Sequence, residues 1–259
     1  MHVAPADLRS LRQDGILVRF AMLGPMAFVF AEIPSSGSVG TTLEKPCTDP
    51  HWGFVIDGEL TFVSGSHRAT IPAGRAFHVP PDGPAHRFET ARNARVAGFT
   101  PVEPKLDVSD RGLRAQGFEL VAASEPAVIV PAIDALGVAT GEIRAESWPM
   151  SGYVFSRVRM GERSGYTGGW CDAPHWGLIT AGHIAIEWED AVEVLAPGDV
   201  FHCPAGPPGH RLEAADPATF IDLTPAAALD AAGRLADWRH GPRHAVDPSP
   251  RGIMVNALG

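Results

Sequence analysis

Several features that would assign a chain to a large protein class are scarce or missing here. There are 3 cysteines among 259 residues, too few and an odd number for the disulfide framework of a small secreted domain. No block of Lys or Arg occurs, and 30 acidic residues outnumber 21 basic ones, for a net charge of −9. Such a chain has no basic surface to offset the phosphates of a nucleic acid or of an anionic membrane. We therefore expect neither a nucleic acid nor a membrane as a partner.

Long apolar runs are also missing. The most apolar stretch near the start of the sequence, residues 16–33, is interrupted by Arg19, Pro25 and Glu32. That composition is typical of strands rather than of a membrane-spanning helix. The segment MHVAPADLRSLRQDG lacks the basic start and the apolar run of a secretory signal. We expect a cytoplasmic protein.

Glycine and proline, by contrast, are plentiful, with 28 Gly and 24 Pro spread along the sequence. This composition favours many short strands joined by turns over long helices. Residues 51–63 contain two strand-like runs separated by Asp57-Gly58, a favourable pair for a hairpin turn. Helix signals are limited to the alanine-rich segment 226–240 and the shorter segment 6–13. We predict an all-β fold with a short C-terminal helix.

One segment of the sequence occurs twice. CTDPHWGFVIDG begins at Cys47 and returns as CDAPHWGLITAG at Cys171, which follows 124 residues later. The correspondence continues without a gap to the Thr-Pro pair that ends each unit. Upstream, the same offset relates Pro25-Met26 to Pro149-Met150. Repeats should be sought before local structure, because a missed repeat changes the predicted fold.

The length of the repeated unit predicts the domain organisation. A unit of roughly 100 residues is too long for a solenoid repeat and suits a duplicated domain. We predict two all-β barrels or sandwiches in tandem, residues 1–112 and 113–259, with the linker within 104–131.

The repeat keeps glycine at three positions in each unit. These glycines are interpreted as turn or close-packing residues, since glycine adopts positive φ angles and lets a neighbouring chain approach closely. They are Gly53, Gly58 and Gly74 in the first unit and Gly177, Gly182 and Gly198 in the second.

The repeat also keeps cysteine and histidine at the same positions. Cys47 and His51 are four residues apart, so on an extended strand both project from the same face, with Asp49 between them. His86 follows a loop rich in Pro and Gly. A thiolate with two imidazoles suits Zn²⁺ best, and Fe, Cu or Ni less often. The predicted ligands are Cys47, His51 and His86 in the first unit, and Cys171, His175 and His210 in the second.

A second pair of histidines is repeated close to these ligands. His78 and His202 could each be a fourth ligand, which would close the metal site, or an acid/base group beside an open one. Asp49 is matched by Ala173 in the second unit. Its carboxylate could act as a base or could lie at a polar rim. On this difference we expect the first unit to be the more reactive one.

With these residues assembled, the chain resembles the cupin superfamily, and in particular a bicupin, a tandem of two cupin barrels. The resemblance covers roughly residues 26–102 and 150–226. In the second cupin motif a glycine, five residues and a proline lead through a loop to a ligand histidine. This pattern is matched by Gly74, Pro80 and His86, and again by Gly198, Pro204 and His210. The resemblance implies two double-stranded β-helix (jelly-roll) barrels.

The first cupin motif departs from the family pattern. His51 and His175 stand where the family has its glutamate, and Cys47 and Cys171 stand at its second histidine. The resemblance implies a divalent metal of the kind that Mn- and Fe-dependent cupins use. Here an imidazole replaces the family's carboxylate, and a thiolate replaces one of its imidazoles. These exchanges shift the metal preference of the site towards softer metals, with Zn²⁺ first and Fe, Ni, Cu or Mn as alternatives.

Three functions remain open at this point. The first is a metalloenzyme that acts on a small organic molecule inside the barrel, by Lewis-acid or general acid/base chemistry such as isomerisation, cyclisation or a lyase reaction. An Fe-dependent dioxygenase is a variant of it. The second is a non-catalytic, metal-stabilised bicupin that binds or senses a small molecule. The third is a structural bicupin without working sites. A homodimer is also conceivable, since cupin barrels often pair through edge strands or exchanged N-terminal segments.

Overall fold

The computed structural model describes residues 2–4, 7–13, 15–35, 38–39, 50–80, 86–102, 136–140, 142–165 and 170–231. Antiparallel strands dominate this part of the chain, which confirms the all-β prediction. The predicted C-terminal helix begins as expected, and its described part is α1, Ala226–Ala231. No helix in the described ranges is long and apolar enough to cross a membrane.

The helix predicted over residues 6–13 is wrong. Residues 9–13 form a strand that pairs in register with residues 16–20, so that Leu11 lies opposite Val18. Six to eight residues are too few for a helix that is stable on its own, and pairing with a neighbouring strand overrides the weak local preference.

The described residues divide into two compact units. Residues from 9 to 102 form the first, and residues 2–8 together with those from 136 to 231 form the second. The short N-terminal strand therefore belongs with the later part of the chain. The predicted boundary at residues 112 and 113 lies outside the described residues and stays a prediction.

The first unit contains two antiparallel sheets. The described strands are β2 Arg9–Gln13, β3 Ile16–Leu23, β4 Met26–Ile33, β5 Ser38–Val39, β6 His51–Asp57, β7 Glu59–Ser64, β8 His67–Pro72, β9 Ala76–Val79, β10 Arg87–Glu89 and β11 Ala94–Pro101. One sheet has the strand order β2-β3-β4-β11-β6-β9, and the other has the order β5-β10-β7-β8.

The described strands of the second unit are β1 His2–Val3, β12 Leu136–Thr140, β13 Ile143–Met150, β14 Tyr153–Met160, β15 His175–Ala181, β16 Ile184–Glu187, β17 Val192–Leu195, β18 Val200–Cys203, β19 Arg211–Ala214 and β20 Ala218–Pro225. The larger sheet has the order β1-β18-β15-β20-β14-β13-β12, and the smaller sheet has the order β17-β16-β19. Among the described residues, this arrangement differs from that of the first unit in two ways. The edge strand β1 is added to the larger sheet, and the smaller sheet has three strands rather than four.

The strand pairing corrects one part of the predicted repeat. In the first unit Pro101 lies opposite Met26, and in the second unit Pro225 lies opposite Tyr153. The counterpart of Met26 is therefore Tyr153, 127 residues later, and the predicted match of Pro25-Met26 with Pro149-Met150 is wrong. The offset of 124 holds from the ligand region onwards, so the second unit has three fewer residues than the first between this strand and the strand of the ligand histidine.

Each unit encloses an apolar core between its two sheets. Residues from both sheets contribute, for example Val55, Phe62 and Phe77 in the first unit, and Ile179, Ile186 and Phe201 in the second. On each of these strands every second side chain points into this interior. The interior face of β15 therefore carries His175, Gly177 and Ile179.

The repeated glycines have the roles predicted for them. Gly58 and Gly182 have φ angles of 75° and 68° and lie in tight turns, where an added Cβ would meet backbone atoms. At Gly177 a Cβ would lie 2.2 Å from the Phe201 ring, and at Gly53 it would lie 2.1 Å from the Phe77 ring. The glycine of each HWG segment thus makes room for an aromatic ring from the neighbouring strand.

Candidate metal centre

Three predicted ligands of the second barrel come together at one end of its interior. The ligand atoms of Cys171, His175 and His210 all lie within 4.8 Å of one another, and the three side chains are buried. His175 is the first residue of β15. Cys171 and His210 are joined by two backbone hydrogen bonds, of 2.8 and 3.0 Å, so the local backbone holds these two ligand segments side by side.

The contacts of His175 define its tautomer. Its Nδ1 lies 3.1 Å from both carboxylate oxygens of Asp222 and 2.7 Å from the hydroxyl of Thr224. The Thr224 hydroxyl donates to Asp222 over 2.9 Å, and an ionised carboxylate can only accept. The Nδ1 therefore carries a proton, and the opposite ring nitrogen, Nε2, faces the Cys171 sulfur at 3.2 Å.

The charges of this cluster shift two pKa values in opposite directions. Burial raises the pKa of the Cys171 thiol, but the neighbouring rings of His175 and His210 outweigh burial and lower it to about 5. Burial lowers the pKa of His175, but the carboxylate of Asp222 and the sulfur of Cys171 outweigh it and raise this pKa above its ordinary value. In the absence of a metal the geometry therefore favours a thiolate–imidazolium pair.

The donor set of the second barrel fits a metal ion. Ligand atoms around one zinc ion stand about 3.5 Å apart, because the metal–ligand distances are about 2.0–2.3 Å. The ligand atoms of this cluster lie within 4.8 Å of one another, and the Cys171 sulfur lies 3.2 Å from Nε2 of His175. Both ring nitrogens of His210 are buried without a hydrogen-bond partner. An unpaired buried polar atom is costly, and a metal ion within the cluster would satisfy one of these nitrogens.

The first barrel repeats this arrangement in part. The rings of His51 and His86 are edge to face with centroids 6.2 Å apart, compared with 5.1 Å for His175 and His210. The Nδ1 of His51 contacts the Thr100 hydroxyl, which donates to a backbone carbonyl. Burial, with the charges of nearby histidines, lowers the pKa of His51 to about 3. The predicted ligand Cys47 and the predicted base Asp49 lie outside the described residues.

The second pair of repeated histidines lies on the other face of each sheet. His202 is between Phe201 and Cys203, which both belong to the interior core, and its ring stacks on Trp176 with centroids 5.2 Å apart. His78 likewise stacks on Trp52 at 5.1 Å. The structure therefore does not bring His78 or His202 together with the ligand clusters, and their predicted role as ligands or acid/base groups gains no support from the geometry.

Known structures share this architecture along most of the chain. No family model and no curated protein matches the sequence. An oxalate decarboxylase of Lactobacillus farciminis, solved as its formate complex, superposes with a TM-score of 0.67 at 11% identity, over 87% of this chain and 86% of that one. Oxalate decarboxylase OxdC of Bacillus subtilis, solved as a single-residue mutant, superposes with a TM-score of 0.65 at 11% identity, over 87% and 77%. The chain has the bicupin fold.

A third match has a similar extent. AerE from Microcystis aeruginosa superposes with a TM-score of 0.62 at 11% identity, over 84% of this chain and 96% of the AerE chain. At this level of identity the likeness shows the fold. The residues that could bind a metal must therefore be identified from this chain itself.

Sequence reasoning missed two residues of the site. Asp222 and Thr224 lie on β20, and both contact His175. The signal for Asp222 was present, because it is the only charged residue of the strand TFIDLTP and occupies an inward position. Thr224 was visible only as one half of a repeated Thr-Pro pair. Their partner is 47 to 49 residues away in the sequence, so spacing alone could not connect them.

The ionisation state of the Cys171 thiol in the metal-free protein can be tested directly. We expect its thiol to ionise at a pH near 5, and the measurement is the ultraviolet absorbance of the thiolate as a function of pH. Because this pKa is lower in the folded than in the unfolded protein, the associated stabilisation is lost as the pH falls through about 5. The Cys171→Ala variant supplies the baseline. An unchanged titration after this substitution would show that another thiol is responsible.

Proposed function

We propose that this bicupin is a metal-dependent enzyme that binds a divalent ion through Cys171, His175 and His210 and acts on a small organic molecule inside the barrel. The observation that carries the proposal is the convergence of these three buried side chains within 4.8 Å. Among the described residues no fourth His, Cys, Asp or Glu belongs to this cluster. Three protein ligands are the number typical of catalytic zinc sites, which keep one position open.

The chain's own groups have distinct tasks in such a site. Asp222 and Thr224 orient His175, and Cys171 supplies negative charge at the metal. Apolar side chains below the cluster, such as Phe201 and Phe220, are almost fully buried and exclude water from the interior. A bound ion would supply Lewis acidity and polarise an oxygen of the substrate.

The identity of the metal separates the candidate reactions. The thiolate and two imidazoles favour Zn²⁺, and a redox-inert ion suits isomerisation, cyclisation or a lyase reaction. The oxalate decarboxylase of Bacillus subtilis has Mn(II) centres, so Mn²⁺ is the competing assignment, and Fe would favour oxygen chemistry instead. Elemental analysis of the protein as purified distinguishes these ions.

The metal proposal is tested by replacing His210. After His210→Ala the Cys171 sulfur still faces Nε2 of His175 at 3.2 Å, so the substitution removes a ligand without leaving the thiolate unpaired. We expect the variant to fold and to lose roughly 100-fold or more in zinc affinity at the second barrel, since even residues behind the ligands change affinity by 10–100-fold. The control is His183→Ala, because His183 is exposed and pairs with Asp216.

The metal content and circular dichroism of both variants are the measurements. Wild-type protein that takes up no stoichiometric divalent metal, even after reconstitution, would rule out the proposed function. Full retention of metal in His210→Ala, measured in a background that lacks His51, would rule out the assigned ligands of the second barrel.

A further inference from the structure

The two barrels support the corresponding histidine in different ways. In the second barrel, the Nδ1 of His175 faces both oxygens of the Asp222 carboxylate. The closing strands β11 and β20 correspond residue by residue, since each pairs with the neighbouring strands in the same register. Gly98 therefore occupies the position of Asp222 in the first barrel. The Nδ1 of His51 contacts the neutral hydroxyl of Thr100 there.

We propose that Asp222 is a positioning residue that makes the second barrel the tighter of the two metal sites. The proposal rests on the metal-binding function proposed above and adds an order of loading, second barrel first. A carboxylate behind a ligand histidine fixes the tautomer and the ring orientation and makes the opposite nitrogen a stronger donor. A hydroxyl can fix the same tautomer, but it carries no charge and strengthens the donor less.

The surroundings of Asp222 show that the second barrel accommodates this carboxylate. In register beside it on the interior face lie Ser156 on β14 and then Ser147 on β13. Both are buried, and Ser147 donates a hydrogen bond to Ser156 over 2.9 Å. Asp222 also accepts the hydroxyl of Thr224. Polar neighbours of this kind lower the cost of a buried charge.

The matching row of the first barrel is apolar. Phe20 on β3 and Val29 on β4 lie in register with Gly98. A Cβ at Gly98 would lie 3.2 Å from the backbone oxygen of Trp52, so even a small side chain needs a shift of the backbone. The difference between the barrels therefore extends over three strands and is not confined to one position.

The experiment measures zinc affinity one barrel at a time. His51→Ala isolates the second site. His210→Ala isolates the first and leaves Asp222 paired with His175, and a chromophoric chelator competes for Zn²⁺ in each variant. We expect the second site to bind zinc at least about tenfold more tightly than the first. Adding Asp222→Asn in the His51→Ala background is expected to weaken it about tenfold, within the range measured for residues behind metal ligands.

The matched control is Asp216→Asn. Asp216 also faces a histidine Nδ1, that of His183 at 2.8 Å, but this pair is exposed and is separate from the cluster. Affinity for zinc should be unchanged in this variant. A loss equal to that of Asp222→Asn would show a general effect of removing charge.

The absorption spectrum of bound Co²⁺ distinguishes a positioning role of Asp222 from a merely structural one, because a structural role would leave the ligand-field bands unchanged. At saturating Co²⁺ the Asp222→Asn variant should still bind one ion in the second barrel, with shifted ligand-field bands because the His175 donor is weaker.

Thr224→Val serves as a second variant in case Asp222→Asn fails to fold. It removes the hydroxyl that holds the carboxylate, and we expect a smaller loss of zinc affinity in the same direction.

The outcomes separate the two proposals. If neither barrel of the wild-type protein binds zinc or cobalt, the proposed function itself fails. If the wild-type protein binds metal, but the first barrel binds as tightly as the second, the order of loading is wrong. If metal binds and neither Asp222→Asn nor Thr224→Val changes affinity or spectrum, Asp222 is not a positioning residue.

Discussion

Replacing His175 with alanine is expected to destabilise the metal-free protein by about 3–5 kcal/mol and to remove the metal site of the second barrel. The first effect arises because Asp222 loses the ring that faces it, and an uncompensated buried charge costs about this much. Asp222 and His175 are both nearly fully buried, so solvent screens their interaction little. Urea denaturation and zinc titration measure the two effects.

The cause of the instability can be isolated with a double variant. In His175→Ala/Asp222→Ala the unpaired carboxylate is gone, and we expect part of the lost stability to return while the metal site stays absent. The exposed pair His183–Asp216 provides the control, since removal of His183 should leave the unfolding midpoint nearly unchanged. Equal losses in the single and double variants would contradict the explanation by unpaired charge.

The second large effect is expected at Phe201, whose ring lies over Gly177. Phe201 is 1% exposed and belongs to the interior core. Truncation to alanine should cost about 3–5 kcal/mol, because it removes buried apolar surface and leaves a cavity. Gly177→Val should also destabilise the protein, by about 3 kcal/mol, because its side chain would overlap the ring and its Cβ would lie 2.7 Å from the backbone oxygen of Ile221.

The two substitutions are expected to compensate each other in part. In Gly177→Val/Phe201→Ala the valine occupies space that the ring has left, so the double variant should be more stable than the sum of the single effects by about 1–3 kcal/mol. Urea denaturation of the four proteins completes the cycle. Strict additivity would show that the glycine and the ring do not share this space. Gly53 and Phe77 offer the same test in the first barrel.

The architecture was predictable because its signals are local or repeated. Alternation along the strands, turn glycines such as Gly58, and the recurrence of the HWG segment all act within short distances of sequence. The ligands His175 and His210 were predictable for the same reason, since an internal repeat offers a comparison within one chain. The offset of 127 residues before the ligand region could not be predicted. The residues around the Gly24-Pro25 turn differ between the two units, and only the strand pairing reveals their counterparts.

The supporting residues of the site depend on contacts that no local pattern contains. Asp222 acts on His175 because β20 lies beside β15, and such a pairing cannot be inferred from either strand alone. The expectation that the first barrel is the more reactive one rested on Asp49. The structure shows a different carboxylate, Asp222, which lies behind the ligand His175 in the second barrel. For this reason we infer that the second barrel binds metal first.

The placement of His202 shows a different limit. Its repetition at position 78 suggested a role at the metal, but repetition does not tell which face of a strand a side chain occupies. Phe201 and Cys203 take the interior positions of β18, so alternation directs the residue between them to the opposite face. Stacking on the Trp of each HWG segment gives a structural reason for keeping histidine at both positions.

The edge strand β1 is synthesised before the first barrel, but it belongs to a sheet of the second barrel. His2 and Val3 pair with Phe201 and Val200, so the first described strand to leave the ribosome finds its partner only after almost 200 further residues have been made. Domains generally fold as they emerge, the N-terminal one first. Here the second barrel must incorporate a strand that precedes the first barrel in the sequence. A fragment that begins at residue 136 would lack this segment and leave the β18 edge open to pairing with another chain.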